Sequence, residues 1–188
     1  KFLSAGPGYG GSCFPKDVSA LVAMAESRGV DMSISRTTMM SNDYQKYHAA
    51  KKVIDALGGA DKVNGKTVVV FGVTFKSNTD DVRESPAIDV IETLMLHGAK
   101  IRVVDPEGRR HGQEIIEDVE WYENPTTDAV LASRDADALV MMTEWPVFYD
   151  LPYYTMVTAM KTPVMVDLRN MLTSNMAATY GFQKYVSV

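Results

Sequence analysis

Between Lys66 and Val73 the chain reads Lys-Thr-Val-Val-Val-Phe-Gly-Val, and few architectures can accommodate such a run. It is almost continuously apolar and rich in β-branched residues. It lacks the every-other-residue polarity of a strand with one wet face. A strand of this kind is buried on both faces, as in parallel sheets sandwiched between helices. Three more runs share the character: Lys100-Ile-Arg-Val-Val-Asp105, Ala138-Leu-Val-Met-Met142 and Val164-Met-Val-Asp167. Helical segments lie between them. Pro86 to His97 is amphipathic, with Pro at its start and Gly98 after its end. Thr127 to Arg134 and Tyr153 to Met160 are the others, and weaker strands are expected at about Val119 to Tyr122 and near Tyr185. Strands alternating with helices predict βαβ units with right-handed crossovers. Residues 61–188 are therefore expected to form an α/β, Rossmann-like, doubly wound parallel sheet.

Residues 1–60 differ. A loop rich in Gly, Ser and Pro runs to Ser12. A helix then follows from Phe14, with Val18, Leu21, Val22, Met24 and Ala25 at helical spacing and Gly29 past its end. A longer helix is expected over Ser33–Leu57, carrying Met39, Met40, Tyr44, Tyr47, Val53 and Ile54 and stopping at Gly58-Gly59. These two helices are expected to form a helical unit of their own. Met39, Met40, Met141 and Met142 lie in apolar stretches and read as packing residues.

The formal net charge of −5 argues against a general nucleic-acid binder, which shows a basic stripe. No apolar run approaches the roughly 20 residues of a membrane span, and no signal-peptide pattern is present. A cytoplasmic location is the expectation. The richest motif falls within the first 17 residues of a chain that starts at Lys1, so an upstream part is expected.

That motif is Gly6-Pro-Gly-Tyr-Gly-Gly-Ser-Cys-Phe-Pro-Lys-Asp17. A helix follows it but no strand precedes it, so it is not a dinucleotide fingerprint. Its single cysteine cannot form an internal disulfide or by itself a thiolate metal site. A lone Cys is often just a small buried apolar residue. Here Pro15 suits the first helical turn, which puts Ser12 or Cys13 at the N-cap. A thiolate there faces unpaired N–H groups and the positive end of the helix dipole, with Lys16 nearby. A reactive nucleophile is the sharper reading.

A second motif follows the first strand: Phe71-Gly-Val-Thr-Phe-Lys-Ser-Asn-Thr-Asp-Asp-Val-Arg-Glu-Ser-Pro-Ala87. It occupies the place of a Rossmann phosphate loop without being G-x-G-x-x-G. Lys76 and Arg83 are cations beside the helix start at Ser85-Pro86, an arrangement suited to phosphate or to ordinary surface pairing. Glu84 could pair with either. Thr143-Glu-Trp145 and Asp167-Leu-Arg-Asn170 sit after the third and fourth strands.

Together these stretches resemble the UDP-glucose and GDP-mannose dehydrogenase family, and the resemblance covers nearly the whole chain. It implies an NAD-dependent oxidation of a nucleotide sugar to its uronate, in which Cys13 forms a thiohemiacetal and then a thioester. By the same resemblance Asp17 handles water or protons, and Lys16 and Arg83 contact NAD. Phe2, Leu3, Ser4, Ala5, Gly6, Gly10, Lys76 and Arg169 line the sugar-nucleotide site. The first helices are implied to make a homodimer, residues 61–188 the UDP-binding domain, and an NAD-binding domain to lie upstream. The second motif looks most like the UDP-glucose branch. GDP-mannose or a UDP-N-acetylhexosamine as substrate stays open, as does a module that binds nucleotide without catalysis.

Overall fold

The computed structural model describes residues 4–188, so Phe2 and Leu3 lie outside the described residues. Two helices come first, α1 (Phe14–Glu26) and α2 (Ser33–Ala56). There follow β1 (Thr67–Phe71), α3 (Pro86–Leu96), β2 (Lys100–Val104), α4 (Arg109–Gly112), β3 (Glu120–Tyr122), α5 (Pro125–Ser133) and β4 (Ala138–Met141). The chain ends with α6 (Tyr153–Ala159), β5 (Val164–Asp167), α7 (Ser174–Tyr180) and β6 (Lys184–Ser187). All strand pairs are parallel, in the order β3-β2-β1-β4-β5-β6. The order reverses between β1 and β4. Open α/β sheets leave a ligand crevice outside the carboxyl ends of the strands at such a point.

The run around Val68 is the central strand, and its side chains divide between two cores. Val68 and Val70 pack with α2 and α3 residues such as Val53, Val90, Ile91 and Leu94. Val69 and Phe71 face the opposite layer, with Ala129, Phe148, Met156 and Ala177. All four strand residues are fully buried, as the missing polar alternation requires.

The second half of α2 belongs to the first of these cores. Ala49, Ala50, Val53 and Ile54 are buried there, and the small residues at 49 and 50 permit close approach. Before Ala49 the helix is different: Ile34, Met40, Tyr44 and Tyr47 are exposed. Met40, expected to be a packing residue, is thus at the surface, whereas Met141 and Met142 are buried. The α2 residues that join the core beneath the sheet run from Ala49 onward.

Two short helices were not anticipated. α4 is only 4 residues long, too short for periodicity to show. α7 buries only Ala177, so it has no apolar stripe to betray it. Its boundaries carry the signal instead: the Thr173 side chain accepts from Met176 N–H, and Gly181 is left-handed.

Candidate functional site

Three segments meet at the carboxyl edge of the sheet: the loop before α1, the loop between β1 and α3, and the turn after β5. Phe75 is their hub. Its ring lies against Gly11, where an added Cβ would come within 2.8 Å of Phe75 Cε2. Lys76 places its ammonium 5.2 Å from the centroid of the same ring. Arg169 donates from Nη2 to the Phe75 carbonyl at 3.4 Å. The other side of that guanidinium faces Gly6, where a Cβ would sit 2.9 Å from Nη1. Gly11 and Lys76 therefore meet the Phe75 ring and Arg169 its carbonyl, with Gly6 behind the guanidinium, although the three segments are far apart in sequence.

The loop before α1 is held by its backbone. Gly11 N–H donates to Arg83 O at 2.9 Å. Gly10 runs so close to the β1–α3 loop that any Cβ would fall 2.1 Å from Glu84 O, so only glycine fits. From the other side, Asn42 on α2 accepts from Tyr9 N–H at 2.8 Å and donates to Tyr9 O at 3.0 Å. Gln45 donates to Gly6 O at 2.9 Å. Ser4 and Ala5 are exposed.

This anchoring delivers Cys13 to the N-cap of α1, exposed, with Pro15 in the first turn. Its side chain makes no capping bond, and the Ser12 hydroxyl lies 3.6 Å from Sγ. Lys16 and Asp17 are largely exposed and pair with each other at 3.2 Å. Arg83 is turned to Asp81 in a bidentate pair, Nε–Oδ1 2.9 Å and Nη2–Oδ2 2.8 Å. That hydrogen-bonded pairing holds the Asp81 carboxyl below its ordinary range and the Arg83 guanidinium above its own. Glu84 pairs with neither Lys76 nor Arg83. Its partner is Lys46, at 3.7 Å, a nearly buried side chain that also meets Asp89 at 3.0 Å. Lys16, Lys46 and Arg83 line one cleft of about 670 Å³ together with Tyr9, Ser12 and Asn42. A shallower groove of about 510 Å³, at Pro106, Pro125, Trp145 and Pro146, contains none of the expected site residues.

Arg169 is a largely buried cation of the site. Burial lowers its pKa, and Glu144 partly opposes that shift. Nε donates to Met142 O at 2.8 Å and lies 3.1 Å from Glu144 Oε2. That carboxylate oxygen is shut off from water, and it has the Arg169 charge but no hydrogen-bond partner among the described residues. Thr143 and Trp145 flank Glu144 and lock the β1–α3 loop: Thr143 Oγ1 donates to Thr74 O at 2.6 Å, and Trp145 Nε1 donates to Thr74 Oγ1 at 3.2 Å.

The place where a Rossmann sheet would cradle a dinucleotide is filled from within. Asp105, fully buried just after β2, accepts from Val73 N–H at 2.6 Å and, more weakly, from Thr74 N–H at 3.3 Å. Its other oxygen accepts from Glu107 N–H at 2.9 Å and Gly108 N–H at 2.7 Å. An acidic side chain near the end of that strand would otherwise hold a ribose. The described residues of this sheet therefore do not fit NAD in the usual Rossmann manner.

Two family models match the chain. The UDP binding domain of the UDP-glucose/GDP-mannose dehydrogenase family covers residues 69–174, and the central domain of that family covers residues 1–44. The chain belongs to the UDP-glucose/GDP-mannose dehydrogenase family. It is 44% identical over 188 residues to the UDP-glucose 6-dehydrogenase of Rhizobium meliloti, covering all of this chain and 41% of that one. It is 37% identical to UDP-glucose 6-dehydrogenase TuaD of Bacillus subtilis, over 97% of this chain and 38% of the relative. Among solved structures, a UDP-glucose dehydrogenase from Pyrobaculum islandicum superposes with a TM-score of 0.79 at 31% identity, covering 98% of this chain and 38% of that one. The chain thus spans about two fifths of the length of these family members. Among the described residues no helix is long and apolar enough to cross a membrane, and no cluster of His, Cys, Asp and Glu could hold a metal ion.

Sequence reasoning missed Asn42 and Lys46. Both are polar residues of a long helix, and a single sequence carries no sign that their partners lie 33 to 43 residues away.

Proposed function

We propose that this chain supplies the sugar-nucleotide site and the nucleophile of a UDP-glucose-oxidising dehydrogenase. The observation that carries the proposal is the convergence of the Cys13 loop, Lys76 and Arg169 on Phe75 at the sheet's carboxyl edge. Lys76 and Arg169 provide cations for a diphosphate, and Gly6, preceded by the exposed Ser4 and Ala5, lies against Arg169. Cys13 adds to the C6 aldehyde of the bound sugar. An S–C bond forms, and the carbonyl π pair moves to oxygen, which takes a proton. After the adduct has lost a hydride, water attacks the thioester, the S–C bond breaks and the thiolate returns. In this reading Asp17, exposed one turn into α1, receives the water's proton. The hydride acceptor, NAD in this reading, is held by residues outside the 188, with Lys16 and Arg83 reaching toward it from the cleft wall. Alone, the 188 residues bind nucleotide sugar without reducing NAD.

UDP-glucose is expected to raise the melting temperature of the chain by several degrees, more than UDP-N-acetylmannosamine or GDP-mannose at equal concentration. A thermal-shift series decides the matter. A clear preference for the guanine nucleotide would overturn the choice of sugar, and no shift with any of the three would remove the binding reading.

A homodimer is part of the same proposal. Ile34, Met40, Tyr44 and Tyr47 on α2, with Leu21 and Met24 on α1, expose more large apolar surface than solvent favours. Sedimentation velocity at micromolar concentration is expected to give twice the chain mass; a monomer throughout would refute it.

A further inference from the structure

Asn42 is a helix-interior amide, 9% exposed, whose two hydrogen bonds both go to the backbone of one loop residue. Oδ1 takes the Tyr9 N–H and Nδ2 gives to the Tyr9 carbonyl, the pairing a neighbouring β-strand would provide. Tyr9 stands four residues before Cys13, and its ring lies 5.9 Å from that of Phe14. The preceding residue, Gly8, has φ +129, and a Cβ there would meet Asn42 Oδ1 at 2.9 Å. One turn further along α2, Lys46 ties the helix to Glu84 and Asp89. The β1–α3 loop in turn receives Gly11 N–H on Arg83 O. α2 therefore grips both loops, and Asn42 makes two of its three side-chain bonds to the Cys13 loop.

We propose that Asn42 is a positioning residue, whose amide sets the register of the Cys13 loop against the β1–α3 loop and so the placement of the thiol. Its functional consequence rests on Cys13 being the nucleophile; the clamp itself does not.

Asn42→Ala keeps the helix, since alanine is a better helix former, and removes both bonds. Asn42→Asp is more telling. An ionised carboxylate can take the Tyr9 N–H but repels the Tyr9 carbonyl. A protonated carboxyl restores the full pattern, accepting at one oxygen and donating O–H from the other. Burial and the bond to the neutral form both raise the pKa of that carboxyl. The variant should therefore behave like the parent at low pH and like Asn42→Ala once pH passes the raised value. The charges facing this position are Asp43 and Lys46 on α2, Lys16 on α1, Arg83 and Glu84 on the β1–α3 loop and Asp89 on α3. They are common to all three proteins, so ratios to the parent isolate residue 42.

The readout is hydrogen exchange at Gly11 N–H, which does not touch Asn42, with Val69 and Val70 of β1 as the internal reference for global folding. In Asn42→Ala, Gly11 protection is expected to fall roughly tenfold, the change that losing one net hydrogen bond produces. In Asn42→Asp it should fall equally at pH 8 and recover to within about twofold of the parent at pH 5. Affinity for UDP-glucose should follow the same pattern. Gly11 protection within twofold of the parent in Asn42→Ala, or an Asp variant that tracks Ala at both pH values, would overturn the proposal. If Asn42→Ala loses β1 protection as well, the Asp variant at the two pH values decides alone. A parent chain that binds no nucleotide sugar removes the functional reading and leaves the exchange ratios to judge the clamp.

Discussion

Serine in place of Cys13 is expected to stop carboxylate formation while leaving affinity for UDP-glucose within about twofold, since the two side chains have nearly the same size and Cys13 makes no capping bond. The loss should reach about a thousandfold or more in kcat, equivalent to roughly 4 kcal/mol of transition-state stabilisation. A serine hydroxyl is a far weaker acid and nucleophile than a thiol near neutral pH, and the polar side-chain atom 3.6 Å from Sγ is another hydroxyl, that of Ser12. The measurement is dinucleotide reduction with UDP-glucose, in a preparation that carries the upstream cofactor-binding part proposed above, beside a calorimetric titration of the sugar nucleotide. Turnover within tenfold of the parent would show that Cys13 is not the nucleophile. Loss of binding together with turnover would instead make it a structural residue.

The second large effect is expected at Arg169. Arg169→Lys keeps a positive charge but not the planar fork that serves Met142 O, Phe75 O and Glu144 together. A lysine can reach one of these at a time. Glu144 Oε2, closed off from water, would then lose its only charge partner among the described residues. Breaking such a pair is costly when both partners are buried, and the Glu144 side chain is 41% exposed, so a destabilisation of about 2 kcal/mol is the expectation. Affinity for UDP-glucose should fall roughly tenfold to a hundredfold, because the same guanidinium backs Gly6 and Phe75. Urea unfolding and calorimetry report the two quantities separately. Unchanged values of both would remove Arg169 from the site and from the core.

The sheet was legible because its signal is local: four consecutive residues buried on both faces leave an unbroken apolar run. Cys13 at a helix start was legible for the same reason, with Pro15 marking the first turn. What could not be read depends on partners distant in the chain. Lys76 and Arg83 looked alike in the sequence, two cations in one loop. In the fold one lies over Phe75 and the other is engaged by Asp81. Glu84, read as a partner for one of them, faces Lys46 on a helix 38 residues earlier. α2 showed an apolar pattern along its whole length, yet only its second half meets the sheet, and periodicity cannot tell a face covered by the same chain from one left open.

Asp105 has a further consequence. Its carboxylate holds backbone N–H groups from two loops in an anion's grasp, and that anion can neither diffuse away nor be outcompeted. The N–H groups of Val73, Thr74, Glu107 and Gly108 are thereby already spoken for, and no ligand phosphate can use them without displacing a side chain tethered to the same sheet.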